Sequence, residues 1–145
     1  MHGLASGMRP AYPKPVRRRK LAPAAPTLTV RHEVIRRDAN RCRWCGLWVD
    51  TSAGWYSLQH RRARGAGGTS RPESNYAANL VLVHGTGTTG CHGDIESKPA
   101  EAAARGFRLT QQQDPRHEPI ILTGGKRLWL DDDGGFSAHA PAKAA

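Results

Sequence analysis

Residues 77–96 read AANLVLVHGTGTTGCHGDIE, and the change of pattern inside this stretch sets the expectation for the fold. "NLVLVHG" is a run of aliphatic and β-branched residues of strand length, closed by a glycine. The Gly- and Thr-rich residues after it form a loop that enters a helix, with Pro99 marking a break or the first turn of a second helical segment. Ala100–Arg105 is helix-prone and Gly106 is a plausible stop. Upstream, "RCRWCGLWVDTSAGWYSLQH" (41–60) predicts two short strands with a hairpin-like connection, the second closing at His60. "RRARGAGGTSRPESNYAA" (61–78) predicts an ordered but irregular loop. Before these, Thr29 offers an N-cap for a short helix over "VRHEVIRRDAN", with Val30, Val34 and Ile35 on one face and Asn40 as its end. Downstream, "EPIILTGGKRLWLDDDGG" (118–135) predicts two strands around a Gly-Gly turn.

At 145 residues the chain holds one domain. Its 16 glycines and 10 prolines fall largely outside the periodic segments, so the core is small and needs support. Three cysteines are too few for a disulfide framework. The N-terminus has no uninterrupted apolar region of the signal-peptide kind, so a reducing, cytoplasmic setting is expected. No run approaches the ~20 apolar residues of a membrane span. The net charge of +10 points to a polyanionic partner, because Lys and Arg that neutralise phosphates release condensed counterions. The charge is unevenly placed: Arg9, Lys14, Arg17, Arg18, Arg19 and Lys20 meet no acid within residues 1–26, while Asp131, Asp132 and Asp133 lie near the other end. The expected division is a disordered, basic, Pro-rich arm (1–26), a folded domain (27–110), and a C-terminal β-hairpin extension with a flexible tail (111–145).

Cys42 and Cys45 have the two-residue spacing that presents two thiolates to a tetrahedral zinc from one tight turn. Cys91 is the third ligand, and the fourth must be a histidine or carboxylate. His84 is favoured because it ends the predicted strand and flanks, with Cys91, the Gly-Thr loop. The rival is His92, but adjacent helical side chains diverge by about 100° and so face different sites more easily than they share one. A structural zinc would supply the support that the small core lacks. Three ordinary thiols are the plainer alternative.

His60 closes a strand, Asn79 opens the next, and His92 stands at a helix entrance with Glu96 four residues on, on the same helical face. Together with "RCRWCG", "LQHRRARGAGG", "AANLVLV" and "GTGTTGCHGDIE", this order resembles the HNH endonucleases, the ββα-metal nucleases, and in particular small phage-type members with a zinc-binding cysteine cluster. The resemblance covers about residues 29–106. It implies an α+β fold with a small ββα-metal core and a structural zinc, preceded by a short helix and followed by a C-terminal helix and hairpin.

The resemblance further implies that His60 is the general base, Asn79 the middle Asn and His92 a ligand of a single catalytic divalent ion such as Mg, Mn or Ni; Glu96, on the same helical face, is placed to share that ion, and Gln59 is a poorer candidate ligand through its neutral carboxamide oxygen. Gln59 is a departure, since many relatives place His or Asp immediately before the base. The substrate would be DNA, hydrolysed by attack of water on phosphorus with the ion stabilising the leaving oxyanion. Arg61, Arg62 and Arg64 would clamp flanking phosphates, Gly65, Gly67 and Gly68 letting the backbone approach. A phage origin, a host-cytoplasm setting and a terminase-like packaging partner belong to the same implication. From a different class, the alternative is a non-catalytic, zinc-stabilised nucleic-acid-binding module.

Overall fold

The computed structural model of the protein describes residues 20–143, so most of the expected basic arm lies outside the described residues. The elements are α1 (Leu28–Arg37), β1 (Tyr56–His60), β2 (Leu80–His84), α2 (Gly90–Ser97), α3 (Pro99–Ala104), β3 (Ile120–Ile121), β4 (Arg127–Leu130) and β5 (Phe136–Ser137). The chain is a small mixed α+β structure. β1 and β2 form a two-stranded antiparallel sheet in which Gln59 faces Val81 and His60 faces Leu80. The other sheet has the order β3-β4-β5, one strand more than the expected hairpin. No helix among the described residues is long and apolar enough to cross a membrane.

Leu80, Val81, Leu82 and Val83 are all 0 % exposed, as a strand must be when both of its faces are covered. The core cluster joins them to Val34 of α1, Ile95 of α2, Phe107, and Ile120, Leu128 and Leu130 of the second sheet. The C-terminal extension therefore shares the core. α1 is held to β2 by a buried ion pair. Asp38 accepts from the Arg37 guanidinium at 2.8 and 3.1 Å and from Leu82 N at 2.9 Å, with Arg43 Nε also 2.9 Å away. Arg37 in turn donates to the carbonyls of Ala77 and Leu80. One carboxylate thus serves two guanidinium groups, and main-chain carbonyls take up the remaining Arg37 donors, as burial demands.

Four expectations are corrected. The N-cap of α1 is Thr27, whose hydroxyl accepts from Val30 N; Thr29 already sits inside the first turn. The helix also ends earlier, at Arg37, and Ala39 and Asn40 follow with positive φ. Residues 41–60 do not form a strand pair of their own. They hold a single bridge, Arg41 to Trp48, and β1 finds its partner in β2. Residues 20–26, expected to be disordered, run against the 61–75 loop: Ala22 N donates to Thr69 O, Arg64 to Ala24 O, and Asn75 to Pro23 O and Ala25 O.

Candidate functional site

The 42–47 turn is built by Gly46 N donating to Cys42 O and Cys42 N to Leu47 O, with Gly46 at φ +81. It turns the Cys42 and Cys45 side chains toward the end of β2, where His84 stands. The 85–89 loop then reverses the chain so that α2 starts beside β2. Gly85 makes that reversal, at φ +84 and with its Cα so near the loop's end that a Cβ would lie 2.1 Å from Thr89 O. Cys91 thereby reaches the same spot. The ligand atoms of Cys42, Cys45, His84 and Cys91 all lie within 4.8 Å of one another, and the group could hold a metal ion.

The distances suit a tetrahedral centre. His84 Nδ1 is 3.4 Å from Cys45 Sγ and 3.9 Å from Cys91 Sγ, close to the S–N edge of about 3.6 Å that Zn–S and Zn–N bond lengths imply. The ring is in the right tautomer: His84 Nε2 lies 2.9 Å from the Trp48 carbonyl, which can only accept, so Nδ1 keeps its lone pair for the thiol side. Without a cation the Cys42 and Cys91 thiols resist ionisation. Burial raises the Cys42 pKa against partial lowering by main-chain N–H groups, and burial followed by the nearness of Cys42 and Cys45 raises Cys91 further. Three thiolates become compatible only around a positive charge. The donor set is consistent with structural zinc. Among the described residues, no second group of three or more His, Cys, Asp or Glu side chains converges in this way.

On the other side of α2's first turn, Gln59, His60, Arg64, His92 and Glu96 line one cleft of about 240 Å³. β1 brings Gln59 and His60 to its rim, and α2 brings His92 and Glu96. His92 Nδ1 faces the Gly87 carbonyl, so Nδ1 carries the hydrogen and Nε2 is left as a lone pair. Gln59 is 7 % exposed. Its Nε2 donates to Glu96 Oε1 at 3.2 Å and to His60 O at 3.3 Å, which leaves Oε1 buried with no partner. Gln59, His92 and Glu96 thus share the cleft, and imidazole and carboxylate are ligand types that divalent ions accept. Burial lowers the pKa of His60, its hydrogen bond to Asn75 Oδ1 opposes this and the Arg64 charge adds to the lowering, so the ring is neutral at pH 7.

Asn79 is 1 % exposed. Its Oδ1 accepts from Arg62 N at 2.7 Å, and its Nδ2 donates to Arg62 O and Ser74 O at 3.1 and 2.9 Å. Both ends of the Arg62 peptide unit are thus tied down just after His60, and the start of the Gly-rich loop is fixed relative to β2.

The arginines need correction. Arg61 is 1 % exposed and donates to the carbonyls of Gly106, Ala78, Pro115 and Glu118. Burial, and after it the Arg37 charge, lowers its pKa to about 9, and the group remains cationic at neutral pH but is spent inside the protein. Arg62 is also buried, donating to Gln113 O with Glu73 3.8 Å away. Of the three expected phosphate contacts only Arg64 lines the cleft. The residues that sequence reasoning missed are Asn75, bonded to His60, and the Asp38 clamp. No local pattern marks either. A scan against protein-family models finds no match, and searches of curated proteins and of solved structures find none either. What the site can do rests on its own geometry.

Proposed function

We propose that the protein is a metal-dependent DNA endonuclease of the HNH kind, its Cys42–Cys45–His84–Cys91 cluster holding a structural zinc. One observation carries the proposal: a neutral histidine from β1 and a free imidazole nitrogen and carboxylate from α2 open onto the same cleft. His92 Nε2, Glu96 and Gln59 Oε1 are the groups that would hold the divalent ion. Bound there, such an ion supplies stabilisation of the negative charge that develops on the leaving sugar oxygen. His60 takes the proton from the attacking water, a task for which a neutral imidazole is suited at pH 7. Asn79 keeps the segment after His60 in register, and Arg64 at the rim attracts the phosphodiester. The net charge of +10 supports a polyanionic substrate.

The test is conversion of supercoiled plasmid to relaxed or linear DNA with Mg²⁺, Mn²⁺ or Ni²⁺. His60→Ala is expected to slow cutting roughly 10²–10⁴-fold while filter retention of DNA stays at the parent level. Parent-like cutting by His60→Ala removes the base assignment. The second reading, a non-catalytic zinc-stabilised nucleic-acid-binding module, is favoured by one feature: Gln59 gives its amide to Glu96 where a second charged ligand would stand. It expects steeply salt-dependent binding and no cleavage with any divalent ion. A phage origin and a packaging partner such as a terminase extend the resemblance and have no counterpart among the contacts described above.

A further inference from the structure

Asn75 ends the Pro72–Asn75 turn and is 8 % exposed. Its amide makes contacts on both sides. Nδ2 lies 2.8 Å from Pro23 O and 3.4 Å from Ala25 O, and Oδ1 lies 3.0 Å from His60 Nε2. Main-chain carbonyls only accept, so the NH₂ end must face residues 23 and 25. Rotating the amide by half a turn would set an oxygen against two oxygens. With its direction fixed in this way, the amide presents an oxygen to His60, and that oxygen also only accepts. Nε2 therefore carries a hydrogen, which leaves Nδ1 as the nitrogen that can hold a lone pair.

We propose that Asn75 is a positioning residue which, with its amide oriented by the main chain of residues 23–25, holds His60 as the Nε2–H tautomer and so makes Nδ1 the atom that accepts the proton. The inference rests on the reading of His60 as general base and adds to it which nitrogen acts and what selects it. It also gives the 20–26 segment a task. Proline at 23 presents a carbonyl without a competing N–H of its own, and Ala22 N bonded to Thr69 O and Arg64 bonded to Ala24 O hold the segment against the loop that carries Asn75. The chain of contacts runs from a strap outside the ββα elements to the base: strap carbonyl, Asn75 amide, His60 imidazole.

The experiment is two-bond ¹H–¹⁵N correlation of histidine side chains on zinc-loaded full-length protein at pH 8, with the His60 signals assigned by their loss in His60→Ala. The parent should show a single Nε2–H pattern for His60, with slow exchange of that hydrogen. Asn75→Ala should show the averaged pattern of a ring sampling both tautomers. Asn75→Asp keeps an acceptor for Nε2–H and should keep the Nε2–H pattern, while its second oxygen, set against the carbonyls of residues 23 and 25, should release the strap. In plasmid cutting, Asn75→Ala should lose roughly 10–100-fold in kcat, the usual size of losing a partner that orients a site histidine, with KM for DNA within about twofold. Asn75→Asp should recover only part of that loss, because the carboxylate cannot donate to residues 23 and 25. An Nδ1–H pattern in the parent overturns the proposal, as does a parent-like His60 pattern in folded Asn75→Ala. The parent spectrum decides the tautomer even if Asn75→Ala does not fold. A protein with the expected tautomer that fails to cut DNA with any divalent ion refutes the nuclease reading and upholds the orientation of His60; a cutting protein with Nδ1–H at His60 does the reverse.

Discussion

Replacing Arg61 by Met separates a structural arginine from a DNA-binding one. The thioether keeps the apolar stem and removes a guanidinium that serves four carbonyls, those of Ala78, Gly106, Pro115 and Glu118. Each buried acceptor left without a donor costs about 1–3 kcal/mol. Because neighbouring losses do not add fully and water can enter, a total of about 4 kcal/mol is the reasonable figure. For a chain of this length that corresponds to a fall in Tm of roughly 8–16 °C. Urea unfolding of the zinc-loaded protein, followed by far-UV circular dichroism, measures it. The salt dependence of DNA binding, taken well below the new Tm, should keep the parent slope. If instead Arg61→Met unfolds within about 1 kcal/mol of the parent and its salt slope falls by about one counterion, the arginine contacts phosphate and the account of it as an internal tie is wrong.

Elemental analysis should find about one tightly held zinc per chain, and a strong chelator at pH 7 should lower Tm sharply, because the energy of a structural site of this type is folding energy; an unchanged Tm after complete metal removal would contradict this. Gly85→Ala should weaken metal retention, since its Cβ would lie 2.1 Å from Thr89 O in the loop joining His84 to Cys91; dialysis against a colorimetric zinc indicator reads the loss, and parent-like retention counts against the loop's role. Asp38→Ala should cost about 3–5 kcal/mol by stranding Arg37 and Arg43 in the interior, with a urea midpoint near the parent's as the contrary result. Asp114 is held down to about 2, chiefly by its hydrogen bond from Arg116. A depressed carboxylate stabilises the fold above its unfolded pKa and loses that contribution as pH falls toward the folded one. Asp114→Asn should therefore flatten the stability profile between about pH 4 and pH 2, and an equally steep profile in the variant would refute the assignment.

What was legible in the sequence was local. "NLVLVHG" marks β2 because nothing else of that length is so uniformly aliphatic, and the break at Pro99 falls between α2 and α3 as its missing N–H requires. The Cys42–Cys45 spacing and the flanking of one loop by His84 and Cys91 suffice to propose the four-ligand group that the fold brings together. What escaped depends on contacts distant in sequence. An Arg-Arg-x-Arg run looks solvent-facing until it is known that carbonyls from residues 78, 106, 115 and 118 meet at Arg61. Asn75 is one polar residue among several in an irregular loop, and its place beside His60 needs residues 23–25 folded back across the chain. Thr27 and Thr29 are equivalent as cap candidates by type. Only the extended backbone at Thr27 selects it.

Cys91 and His92 are consecutive in the first turn of α2, one aimed at the thiol cluster and the other at the cleft. The two faces are therefore geared together. Unhooking the helix from the cluster would swing the cleft's imidazole out of alignment without touching it, so rebuilding the stripped protein has an order. On the proposed reading the thiol side is to be refilled first, since an ion offered to the cleft beforehand would meet a wall that is not yet standing.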